Sequence, residues 1–180
     1  MNRQSRIWLS LLTLALAVGV QSSTAWAQGK SDLLSSLKKG SPDLKSAGSL
    51  SFGPQGILFV GDTTSAAVFA FDTGDRTAGA SAGEFKIESI NEKIAALVGT
   101  TAQNLMINDL AVNPISGRAY LSVSRGRGPD AAPVLVRADR AGKLEAVSLA
   151  DIGFAKAPLP NPPAPSDDAA PKQKGASPRA

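Results

Sequence analysis

Two arginines stand among glycines in the stretch Ser124-Arg125-Gly126-Arg127-Gly128-Pro129-Asp130. Guanidinium groups grip a carboxylate or phosphate through paired N–H bonds. Arg125, Arg127 and Asp130 are therefore the candidate ligand-contact loop, with a plain solvated strand connection as the alternative. An acidic stretch, Asp72-Thr73-Gly74-Asp75, has the look of a calcium loop. It lacks the alternating Asp/Asn spacing of such loops and reads as a turn. The chain contains no Cys and no His. That excludes disulfides, cysteine nucleophiles, Cys/His zinc sites and any imidazole acid–base step. No Walker sequence, G-x-S-x-G elbow or dinucleotide fingerprint occurs. Tyr120 is the single Tyr, and both Trp residues, Trp8 and Trp26, precede Gln28. Stacking platforms for sugars or bases are thus poorly supplied.

The elements that position these residues lie between two unusual ends. Arg3 and Arg6, the apolar run Ile7 to Val20, and Ala25-Trp26-Ala27 have the form of a secretory signal cleaved before Gln28. The apolar run breaks at Gln21-Ser22-Ser23-Thr24, short of the roughly 20 residues a spanning helix needs. This predicts an exported protein, periplasmic or secreted, without stable membrane insertion after cleavage. The whole chain of 180 residues carries 19 Lys+Arg against 15 Asp+Glu. So small a basic surplus argues against a nucleic-acid partner. From Ala155 to Ala180 the chain is Pro-rich with little apolar bulk, which predicts a disordered tail.

Between the ends, residues 28–47 read as a short N-terminal helix and linker. Ser31 is its expected cap, Leu33, Leu34 and Leu37 its apolar face, Lys38 and Lys39 its solvated end, and Gly40 its stop. Four short strands follow: Leu50 to Phe52, Ile57 to Val60, Ala66 to Phe71 and Phe85 to Ile90, separated by Gly- and Pro-rich turns. The pattern recurs as Leu110 to Val112, Arg118 to Val123, Val134 to Asp139 and Lys143 to Leu149, with a longer loop at Ser124 to Pro133. Between the units, Ser89-x-x-Glu92 has capping-box form, Ile94, Leu97 and Val98 share a helical face, and Gly99 closes the helix. Such repeated four-stranded units suit β-propeller blades, which bury apolar faces by stacking on one another. A β-sandwich is the competing architecture.

The strings LSFGPQGILFVGD and AAVFAFD, answered by LAVNPISGRAYLSV and VLVRADRAGKLEAV, resemble the repeat of NHL-type β-propellers and of the gluconolactonase (sugar lactone lactonase) superfamily. The resemblance spans Gly48 to Leu149. It implies an all-β fold with two four-stranded antiparallel blades, 48–90 and 108–150, and a helical insertion at 91–104. Closed propellers have four to eight blades, so two make an incomplete ring, the N-terminal part of a propeller or a truncated product. The function expected is an exported binding or scaffold module without catalysis of its own. Self-association would complete the ring, and the ligand would be a small anion or a protein. The alternative is a metal-dependent sugar-lactone hydrolase or its remnant. For that, the resemblance implies Ca²⁺ or Mg²⁺ held by carboxylates and an Asn, with Asp62, Asn108 and Asp109 the candidates. Asp72, Asp75, Asp139 and Asn113 are further oxygen donors, and turn-forming roles compete at every one of these positions.

Overall fold

The computed structural model describes residues 32–79 and 86–162. The apolar alternation of the sequence becomes two antiparallel sheets and one α-helix. The first sheet contains β1 (Lys38–Gly40), β2 (Leu50–Phe52), β3 (Ile57–Asp62), β4 (Ala67–Asp72) and the last strand of the described chain, Ile152–Pro158. The β3–β4 hairpin is its centre, with Leu58 opposite Phe71 and Val60 opposite Phe69. Along β4, Ala67, Phe69 and Phe71 are buried and the residues between them are not, the period of a strand with one face in a core. Gly53-Pro54-Gln55-Gly56 forms the expected tight turn, a 3₁₀ turn at Pro54–Gly56.

The second sheet runs β5 (Leu105–Val112), β6 (Ala119–Arg125), β7 (Ala132–Ala138) and β8 (Leu144–Ala146), in that spatial order. Every residue of β6 from Ala119 to Val123 is buried, because this sheet is covered on both faces. On one face Tyr120 and Leu135 pack with Leu58, Val60, Phe69 and Phe71 of the first sheet. Phe52 meets the Tyr120 ring edge-on, with centroids 5.1 Å apart. On the other face Leu121, Val123 and Val136 pack against Ile94 of α1 (Ile90–Val98). Each such fully buried aliphatic or aromatic side chain contributes about 1.5–3 kcal/mol. Gly99 ends α1 at φ 69° and donates its N–H to the Ala95 carbonyl, the expected left-handed stop. Among the described residues no helix is long and apolar enough to cross a membrane.

Four features depart from the sequence expectations. Residues 32–40 hold a short 3₁₀ turn, Leu33–Ser36, capped by Asp32, and then strand β1 instead of a helix; three leucines are too few to bury a helical face, and the ladder with the last strand captures Lys38 to Gly40. The expected strand Phe85 to Ile90 is a turn at Glu88–Ser89 followed by the start of α1; Phe85 lies outside the described residues. Ser89 is left-handed at φ 50° and makes no side-chain cap, so the capping box does not form, and Leu97 is 40% exposed. Finally, the Pro-rich segment is ordered further than its composition suggests. Ile152–Pro158 is β9, hydrogen-bonded between β1 and β4. The first sheet therefore takes its outer two strands from the far ends of the described chain, in the order β1-β9-β4-β3-β2.

Candidate functional site

Asp75 follows β4 and is 4% exposed. Its carboxylate accepts from the Ser116 hydroxyl at 2.6 Å, the Tyr120 hydroxyl at 3.0 Å and the Arg118 guanidinium. The Asn113 amide donates to the Asp75 carbonyl oxygen at 2.8 Å. Ser116 and Asn113 reach it because residues 113–118 form the tight β5–β6 turn, closed by the Gly117 N–H on the Asn113 carbonyl. Burial pushes the Asp75 carboxyl up, but hydrogen bonds from Ser116, Tyr120 and Arg118 and the Arg118 charge outweigh it, leaving it below its ordinary value. Burial pushes the Tyr120 hydroxyl up. With its carboxyl held below its ordinary value, Asp75 is ionised at neutral pH and accepts the Tyr120 hydroxyl, so this pair holds charge and position.

Beside this network, the end of the first sheet meets β7 and β8 in a hollow of about 350 Å³ lined by Lys39, Asp72, Thr73, Arg137, Ser148, Asp151 and Gly153, among others. That is the low end of ligand-cavity sizes, roughly 300–1,000 Å³. Lys39 comes from β1, Asp72 ends β4, and Gly153 lies between them on β9, paired with both. Arg137 lies opposite Tyr120 on β6 and donates to Glu145 at 2.6 Å. Glu145 also accepts from Lys143 at 2.6 Å. Its carboxyl is held down to about 2 by the hydrogen bonds from Lys143 and Arg137 and by their charges. Asp151 sits at the turn into β9 with φ 53°, left-handed backbone that a residue with a Cβ adopts only when its surroundings impose it. The hollow thus presents cations and carboxylates together, with hydroxyls between them.

The residues singled out from sequence have other employment. Arg125 donates to the Val98 carbonyl at 3.4 Å and Arg127 to the Gln103 carbonyl at 2.8 Å. Arg125 thus ties the β6–β7 loop to the C-terminal end of α1, where carbonyls lack helical partners, and Arg127 ties it to the 3₁₀ turn Ala102–Asn104. Asp130 is exposed in a 3₁₀ turn, Gly128–Asp130, on the same loop. Asp62, Asn108 and Asp109 each hydrogen-bond a different part of the segment 45–50. Asp62 accepts from the Lys45 and Ser46 N–H groups, the Ser46 hydroxyl and the Ser65 N–H, at 2.8 to 3.1 Å. Asp109 accepts from the Leu50 N–H at 2.8 Å. Asn108 is the extra residue of a β-bulge and donates to the Ala47 carbonyl at 2.7 Å. A cation here would have to displace donors from Asp62 and Asp109, and the Asn108 amide presents its nitrogen, so this set does not fit Ca²⁺ or Mg²⁺. Among the described residues no three acidic side chains gather closely enough to hold a metal ion.

Lys39, Arg137, Asp151 and Gly153 carried no sequence motif. No family model matches the chain, and neither does a curated protein or a solved structure.

Proposed function

We propose that this chain is an exported binding or scaffold module of β-propeller type, a partial ring with no catalysis of its own, and that it binds a small charged ligand in the hollow between the end of its first sheet and β7–β8. The hollow is the observation that carries the reading: it draws side chains from five strands and loops of both sheets onto one space, as ligand sites at element junctions do. The buried network behind it serves rigidity. Asp75 and Tyr120 fix the strand that pairs with Arg137, so that the liganding side chain stands on a pre-organised base. The propeller assignment draws on β2, β3 and β4, three consecutive antiparallel strands completed by a fourth from the far end of the described chain. Export rests on Met1 to Ala27, outside the described residues.

The test is a backbone amide NMR titration of residues 28–180 with a panel of small anions, sugars, amino acids and dipeptides. Saturable shifts are expected at Thr73, Gly74, Ser148 and Gly153. If no panel member moves these amides, the hollow is not a binding site.

A further inference from the structure

The ligand class of this hollow follows from one row of residues across the first sheet. Lys39 on β1, Gly153 on β9 and Asp72 on β4 are direct register partners, and such partners point to the same face. An ammonium and a carboxylate thus flank a position without a side chain, their backbones two strand spacings or roughly 9–10 Å apart. A Cβ at Gly153 would stand 3.2 Å from the Asp72 Cβ, 3.8 Å from the Leu37 Cβ and 3.9 Å from Asp72 Oδ2; the missing methyl keeps the space beside the Asp72 carboxylate open. Asp72 Oδ1 is occupied by the Gly74 N–H and by Arg76, whereas Oδ2 faces that space. Among the described residues neither Lys39 nor Asp151 enters an ion pair. The hollow therefore holds one cation, Lys39, and one carboxylate, Asp151, outside any ion pair, and a second carboxylate, Asp72, whose Oδ1 is taken by Arg76. Its left-handed Asp151 adds a backbone held out of its relaxed state.

We infer that the hollow takes a zwitterion of amino-acid to dipeptide size, its carboxylate held by Lys39 with Arg137 and its ammonium by Asp72 Oδ2 with Asp151. A monoanion would leave the two carboxylates facing its uncharged end, and a neutral sugar would leave both signs unmatched. The inference rests on the hollow being the binding site.

Four probes of one skeleton test it by the same NMR titration: L-alanine, L-alanyl-L-alanine, its N-acetyl form and its C-terminal amide. Either zwitterion is expected to bind, the dipeptide more tightly if it spans the row. Blocking either end should weaken binding about tenfold, the worth of one charge-assisted contact. Lys39→Gln should reduce the penalty of amidation, because Arg137 remains, and Asp151→Asn should reduce that of acetylation, because Asp72 remains; both positions are exposed, so the fold is retained. If the acetylated form binds as well as the dipeptide, the hollow reads a carboxylate alone and the zwitterion inference falls while the site stands. If the sugars or simple anions of the larger panel shift the hollow's amides and neither zwitterion does, the inference also falls. No shift from any probe removes the site itself.

Discussion

Asp75 stays charged inside the protein because its donors supply more than burial removes. The side chain is fully enclosed, with 0% of its surface exposed, beside an Arg118 side chain that keeps 35%. Asp75→Ala would leave the Ser116 and Tyr120 hydroxyls and one guanidinium without their acceptor. Breaking a buried pair costs about 3–5 kcal/mol, and the partial exposure of Arg118 lets it re-solvate, so a loss near the lower bound, about 3 kcal/mol, is expected in urea unfolding. The pH dependence has a definite sign. The folded carboxyl lies below its ordinary 3.8, so its contribution is complete above that value and disappears as pH falls through the lower folded value. Asp62, held down by the Lys45 and Ser65 N–H groups and the Ser46 hydroxyl against the upward push of burial, behaves alike. The gap in urea midpoint between wild type and Asp75→Asn should therefore be full at pH 7 and narrow progressively as pH falls below 3.8. An unchanged gap would mean that the Asp75 carboxyl binds protons equally in the folded and unfolded chain, so that the network does not favour its charge. The sequence marked Asp75 as the end of an acidic turn and as one oxygen donor among several, not as the centre of a buried network. Its partners come from a turn some 40 positions later, a proximity that no local spacing encodes.

Where an element's period is strong and local, the sequence is legible. β3 and β4 follow from alternating large apolar residues, and Gly99 marks the end of α1 because its φ of 69° suits a residue without Cβ. β1 and β9 were not legible. Lys-Lys-Gly and Ile-Gly-Phe-Ala-Lys-Ala-Pro have little β preference, and they are strands because each finds an open ladder on its neighbour. Missing them concealed the row Lys39–Gly153–Asp72, and with it the hollow. The Arg125/Arg127 loop was legible as a feature and misleading as a contact, since backbone carbonyls at the end of α1 and in the turn after it, Val98 and Gln103, take the two guanidiniums. A further element-scale expectation concerns the β3–β4 turn. Ala66 closes it at φ 45°, where a Cβ costs about 1–2 kcal/mol, partly offset in glycine by its greater chain entropy. Ala66→Gly should stabilise the protein by up to about 1 kcal/mol, and Ala66→Val should destabilise it, both read from urea midpoints. The bond from the Leu159 N–H to the Ala66 carbonyl, 2.8 Å, is backbone only and survives either change. Destabilisation by glycine would show that the turn is not strained.

At the scale of the molecule, the chain closes its first sheet with its own far end. β9 lies between β1 and β4, and among the described residues β1 has no other strand neighbour. A chain ended after Ala150 would lose the ladders of both neighbours at once, together with Ile152 in the core that β4 shares with Tyr120 and Leu135. It would also open β4 as a bare edge carrying Phe69 and Phe71, a surface prone to pairing with other chains. A chain ended after Pro162 keeps every ladder bond of β9. The shorter form should therefore lack a cooperative thermal transition and associate irregularly in light scattering, while the longer form melts as the whole chain does. A synthetic peptide covering 152–162 should then restore the transition to the shorter form by adding the missing strand. If two shortened chains exchange edges in an orderly way instead, light scattering would show a discrete dimer, the self-association expected of an incomplete ring. A shortened chain that melts cooperatively as a monomer, without the peptide, would show that β9 is an accessory to the fold and not its closure.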